Sequence, residues 1–164
     1  MKKNELNIIV CTDKNNLIGD ANPTGNGLLW HSKEELEYYK SKTVGNIVLF
    51  GLNTSKVVPI NLMKKNRTVE ILDFDVDIDK LLEKYEDSQM DVFICGGYSI
   101  YKHFLKNYKL DNLYISRLKN HVHVEHANNP LYFPEVKELG YKLVSSVEYN
   151  DFVAEVYKYK LKEN

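Results

Sequence analysis

Two cysteines among 164 residues are too few for a disulfide framework, and Cys11 and Cys95 stand far apart inside apolar runs. They read as small core hydrophobes, reduced in a cytosolic compartment. A surplus of charge is missing as well. Lys and Arg total 22 against 23 Asp and Glu, a formal net charge of -1, so no general attraction to a phosphate backbone is available and nucleic acid is not an expected partner. Long apolar runs are also absent: none approaches the roughly 18 to 20 residues of a spanning helix, and Ile8 to Cys11 is too short for the core of a signal peptide. No membrane partner is expected, and the expected location is cytoplasmic. No segment recurs at a fixed period, which sets solenoids aside.

What is present is the make-up of an ordinary globule, 43% hydrophobic and 27% charged. A chain of this length buries roughly 70% of its unfolded surface, enough for one sizeable core, and a single domain over residues 1–164 is expected. Leu6 to Cys11 is a continuous apolar strand candidate, followed by a polar loop holding Gly19, Pro23, Gly25 and Gly27. Ser32 opens a helix with Leu36, Tyr39 and Thr43 on one face, and Gly45 ends it. Asn46 to Phe50 is a second strand. A short helix around Thr54 to Val58 leads past Pro59 into a third, Thr68 to Leu72, and Leu81, Leu82 and Tyr85 mark another helix.

Val92 to Cys95 runs into Gly96-Gly97 and a helix carrying Ile100, Tyr101, Phe104 and Leu105 on one side. Leu113 to Leu118 is a fifth strand, and Tyr141 to Leu161 reads as two long strands joined at Tyr149-Asn150-Asp151. The pattern predicts an α/β fold: a mostly parallel central sheet with a C-terminal antiparallel hairpin and helices on its faces.

Four features carry candidate chemistry. Gly96-Gly97, between a strand and a helix, leaves backbone amides open at a helix N-terminus, which suits a pyrophosphate; a tight turn needing positive φ explains the pair equally well. Glu35 follows the only tryptophan, Trp30, and could bind an amidine-like group through two parallel hydrogen bonds. Local sequence favours a different reading, because Ser32-Lys33-Glu34-Glu35 fits a capping box in which Glu35 reaches back to the Ser32 amide. His121, His123 and His126 in HVHVEH resemble metal ligands but lack a fitting partner, and a polar surface loop is the preferred reading. Asp73, Asp75, Asp77 and Asp79 alternate with Phe74, Val76 and Ile78 where a calcium loop needs ligands and a turn glycine. No metal site is expected.

These pieces fall together in the order of one family. The sequence resembles dihydrofolate reductase over nearly its whole length. NIIVCTDKNNLIGD is similar to that family's first strand and turn, LLWHSKEELEYYKSKTVG to its active-site helix, and VFICGGYSIYKHFL to its glycine pair and following helix. LYISRL and YFPE extend the match. The resemblance implies reduction of 7,8-dihydrofolate to tetrahydrofolate by NADPH, in a monomer acting on a small molecule.

It also overturns the preference for a pure cap, because Glu35 occupies the family's one ionisable active-site position. The carboxylate would accept from the pterin 2-amino group and N3 and favour protonation of N5. Burial raises its pKa and the helix N-terminus lowers it. Ser116 matches a hydroxyl that supports this carboxylate, and Trp30 would hold an ordered water. Ile9, Val10 and Cys11 would line the pterin pocket, with Leu36, Tyr39 and Val58 around the ring and its p-aminobenzoyl group. Arg67 matches the arginine that pairs with the glutamate α-carboxylate. On the cofactor side the resemblance implies Ile18 and Gly19 in the closing loop, Gly51 and Thr54, and Cys95, Gly96, Gly97, Tyr98, Ser99, Ile100 and Tyr101, with a cis peptide at the glycine pair.

Three departures stand out. The closing loop from Asp20 to Leu29 is longer, with Leu29 in place of the usual proline. HVHVEHANNPLYFPE replaces the short acidic-glycine motif that docks on that loop. Leu52, Asp73, Phe74 and Ser99 occupy places where the family tends to grip a 2′-phosphate, leaving Asn53 and Lys56 as candidates and making NADH use an expectation alongside NADPH. The rival readings are a same-fold reductase of another heterocycle, against which Glu35, Trp30 and Arg67 argue, and a non-catalytic nucleotide-binding or scaffold protein.

Overall fold

The computed structural model describes residues 4–22, 28–73 and 75–160. Pro23, Gly25 and Gly27 of the expected loop, Phe74, and Leu161 at the expected end of the last strand lie outside the described residues. In chain order the elements are β1 (Leu6–Thr12), β2 (Leu17–Asp20), α1 (Lys33–Thr43), β3 (Ile47–Gly51), α2 (Leu52–Ser55) and α3 (Ile60–Met63). They continue with β4 (Thr68–Leu72), α4 (Ile78–Lys84), β5 (Val92–Ile94), α5 (Tyr98–Asn107), β6 (Asn112–Leu118) and β7 (Pro130–Tyr132). A 3-10 turn (Val136–Leu139) precedes the hairpin of β8 (Tyr141–Glu148) and β9 (Phe152–Tyr159).

A seven-stranded sheet runs in the order β4-β3-β5-β1-β6-β9-β8. The first five are mutually parallel, and β9 and β8 add antiparallel pairs at one edge. Sheets covered on both faces need strands apolar at nearly every position, and β3 is buried throughout. The pleat then sorts residues by parity. Ile8, Val10, Leu49 and Ile94 pack with Tyr101 and Phe104 of α5 and with partly buried Leu81 and Leu82 of α4. Ile9, Val48, Phe50 and Phe93 pack on the other face with Tyr39 of α1. The expected α/β architecture is therefore present, and among the described residues no helix is long and apolar enough to cross a membrane.

The differences from the sequence expectation are local. The short helix starts earlier, at Leu52, and Pro59 opens α3 instead of leading straight into a strand. Proline has no N–H to lose at a helix start, so Pro59 begins a turn as readily as it ends one. The segment after β1 is not all loop: β2 pairs antiparallel with β7 in a separate two-stranded sheet. Strand and hairpin ends otherwise agree to within a residue or two.

Candidate active site

Parallel strands place their C-terminal ends, and the loops that follow, at one edge of the sheet, where ligands of open α/β folds bind. Here that edge carries the end of β1, the turn from β3 into α2, and the Gly96-Gly97 junction between β5 and α5. Gly51 N–H donates to Gly96 O at 2.7 Å, tying the last two together.

Ser32 caps α1, its hydroxyl accepting from Glu35 N at 3.2 Å. Only that half of the expected capping box forms. The Glu35 carboxyl turns instead to β6, where Ser116 Oγ donates to Glu35 Oε2 at 3.4 Å. Burial pushes the carboxyl up from its ordinary 4.5 to about 7, against the opposing pull of hydrogen bonds from Cys11 and Ser116. A carboxyl poised near neutrality can hold or release a proton at working pH.

What holds this helix start was not visible in the sequence. Ser32 Oγ also donates to Asp151 Oδ2 at 2.6 Å, and Asp151 N–H donates to Glu34 Oε1 at 2.7 Å. Asp151 sits in the turn between β8 and β9, and no local signal links it to residue 32. His121 lies against the same carboxylate, Nε2 to Oδ1 at 3.1 Å, and His123 against Glu125 at 3.2 Å, so both have surface partners. Asp77, from the acidic run, caps α4.

On the side where a cofactor is expected, the Gly96-Gly97 peptide is cis, as the resemblance implies, and Gly96 has φ +121, a conformation that favours glycine. Gly97 is the N-cap of α5 with no side-chain cap bond, leaving its amides available to an anion. Tyr98, Ser99, Ile100 and Tyr101 form the first turn, and Tyr101 OH donates to Ile9 O at 2.9 Å. A Cβ on Gly97 would lie 2.7 Å from Thr54 Oγ1, and one on Gly51 2.8 Å from Ile100 Cγ1. Gly97→Ala is therefore expected to cost about 1–3 kcal/mol in urea unfolding, and adding Thr54→Ala should recover part of that loss. Cys95, just past β5, packs partly buried against Ile9 and Phe93, and both cysteines are free. Ile18 and Gly19 lie in β2, Ile18 partly buried and Gly19 opposite Leu131.

The partner of this closing segment, which its sequence left unnamed, is the chain before β7. Asn128 N–H donates to Asp20 Oδ2 at 2.9 Å, Ala21 N–H to Asn129 O at 2.8 Å, and Glu125 N–H to Leu29 O at 2.7 Å.

Of the residues expected to face the substrate, Ile9, Tyr39 and Val58 share one apolar layer, while Trp30 and Cys11 pack on a neighbouring patch with Leu118 and Phe152. Val10 does not join them. The pleat turns its side chain into the opposite layer, with Tyr101, so only its backbone faces the expected pocket. Leu36, next to Glu35, is 50% exposed at the end of the α1 stripe instead of buried with Thr43. Arg67 is only 8% exposed: Nη1 donates to Thr43 Oγ1 at 3.2 Å, Nε to Asn66 Oδ1 at 3.1 Å, and the guanidinium lies 5.9 Å over the Tyr39 ring.

A near-neutral buried carboxyl and an open glycine junction stand at the carboxyl edge of a parallel sheet, where α/β proteins bind their ligands. The chain belongs to the dihydrofolate reductase family: the family model described as dihydrofolate reductase matches residues 5–163. It is similar to dihydrofolate reductase type 9 of Escherichia coli, 28% identical over 132 residues and covering 70% of each chain. Dihydrofolate reduction is the activity of that family.

Proposed function

We propose that this chain reduces 7,8-dihydrofolate to 5,6,7,8-tetrahydrofolate with NADPH, the hydride arriving at C6 and a proton reaching N5 through water. The observation that carries this reading is Glu35, a carboxyl held by Ser116 and raised to about 7. Glu35 accepts from the pterin 2-amino group and N3, orienting the ring, and its charge favours a proton on N5. Ile9, Cys11, Tyr39 and Val58 exclude water from the ring, and Trp30 walls the pocket. Arg67 takes the substrate's α-carboxylate. The reduced nicotinamide supplies the hydride when bound. Gly96 and Gly97 pack closely against Tyr101 and Thr54 at this junction, and the α5 N-terminus offers amides to the dinucleotide phosphates.

The far end of the cofactor meets a different surface. Leu52 opens α2, Asp73 follows β4 beside it, and Ser99 stands in the first turn of α5. An acid near a ribose repels a 2′-phosphate and accepts from a 2′-hydroxyl, so discrimination between NADPH and NADH is weakened. One assay tests both claims: cofactor oxidation with dihydrofolate, with and without methotrexate, using each cofactor. Expected are methotrexate-sensitive turnover and a kcat/KM preference for NADPH well under about a thousandfold. No turnover would leave a binding protein, and a larger preference would refute the weakened grip.

A further inference from the structure

Cys11 ends the apolar run of β1, and its partner across the parallel ladder is Ser116. Paired residues on adjacent strands point to the same face, so the thiol lies beside the carboxyl that Ser116 already holds. It packs in the same apolar patch as Trp30. The thiol thus lies between two groups that act on it: the Trp30 indole N–H, which can only donate and so leaves sulfur as the acceptor there, and the Glu35 carboxyl, toward which the thiol proton can be directed. Burial and the neighbouring carboxylate keep that proton on sulfur. The reaction described above uses Cys11 only as a wall.

We propose that Cys11 is a positioning residue: its S–H, aimed by Trp30, is a second donor to the Glu35 carboxyl, and with Ser116 it controls how readily that carboxyl gives up its proton. The inference rests on the reading of Glu35 as the proton-handling group. Two donors aimed at one carboxyl favour its charged form, and removing either leaves burial less opposed. Among the described residues the other titratable groups that act on this carboxyl are Tyr38 on α1, raised to about 12, and Tyr101 on α5, raised well above its ordinary 10.0, and both remain neutral near pH 7.

Because Trp30 is the only tryptophan, its fluorescence reports on this cluster in the ligand-free protein, without turnover. His31 adjoins it in sequence, so the component that matters is the pH transition lost in Glu35→Gln. That transition is expected near pH 7 in the wild type. Cys11→Ala should move it upward by about half a pH unit, the size of one weak hydrogen bond to a charged group. Cys11→Ser, which keeps a donor, should return it to the wild-type value or below. An unmoved or lowered midpoint in Cys11→Ala, with the transition still abolished by Glu35→Gln, overturns the role of Cys11 and leaves Glu35 standing. A transition that survives Glu35→Gln, together with unchanged hydride transfer, overturns both.

Discussion

Glu35→Gln is expected to slow hydride transfer by about a hundredfold or more at neutral pH and to flatten its pH dependence. The amide keeps the shape of the side chain but neither carries the charge nor exchanges a proton. In the wild type the carboxyl titrates near 7, so the rate should fall as pH rises through that value and lose about tenfold per further unit. Carboxyl and N5 titrate as a coupled pair once substrate is bound, so the observed midpoint belongs to both. Single-turnover measurements from pH 5 to 9 check this, and an unchanged rate across that range would remove Glu35 from the chemistry.

The same substitution should stabilise the fold. The folded carboxyl sits at about 7 and the unfolded one near 4.5, so between those values the folded state binds the extra proton. Wild-type stability therefore falls as pH rises from 4.5 to 7 and stays reduced above. Gln carries no such penalty. Relative to wild type, Glu35→Gln should gain about 2–3 kcal/mol between pH 4.5 and 8, measured by urea unfolding at each pH. Slower chemistry in a more stable protein is the signature of a carboxyl buried for its reactivity.

How far the sequence could be read follows from the range of the interactions involved. β3 is legible because a strand covered on both faces is apolar along its whole length, and Ser32 is legible because its cap bond spans three residues. β2 is not, since its pairing depends on Pro130–Tyr132, more than a hundred residues further on, which no local pattern encodes. Glu35 lies between these cases. Its neighbours in sequence describe a reciprocal cap, whereas the direction of its carboxyl is decided by Ser116 on β6, 81 residues away. Val10 and Cys11 divide for another reason: adjacent residues of one strand face opposite layers, so a pocket assigned to three consecutive residues must lose at least one side chain. Asp151 could not be found from the sequence, because its partners Ser32 and Glu34 meet it only when the hairpin turn reaches the start of α1.

Arg67→Leu should weaken dihydrofolate binding by about a hundredfold or more while leaving hydride transfer from the saturated complex near its wild-type rate. In KKNRT the arginine looks like one member of an exposed basic run, yet Lys64 and Lys65 are exposed and Arg67 alone is buried. Thr43, Asn66 and the Tyr39 ring hold the guanidinium before any ligand arrives, so little side-chain entropy is lost when a carboxylate docks. Such a partly desolvated, bidentate pair is strong, and Arg67→Lys, which offers a point charge in place of a fork, should fall between Leu and wild type. In the proposed reading the pterin end is recognised elsewhere, at Glu35, which would separate KM from kcat. Quenching of Trp30 by dihydrofolate and by a dihydropterin lacking the glutamate tail distinguishes the two ends. Arg67→Leu should lose affinity for the first and keep it for the second. Equal losses for both would mean that Arg67 supports the fold of the pocket instead of the tail, and no loss for either would place the α-carboxylate on another cation.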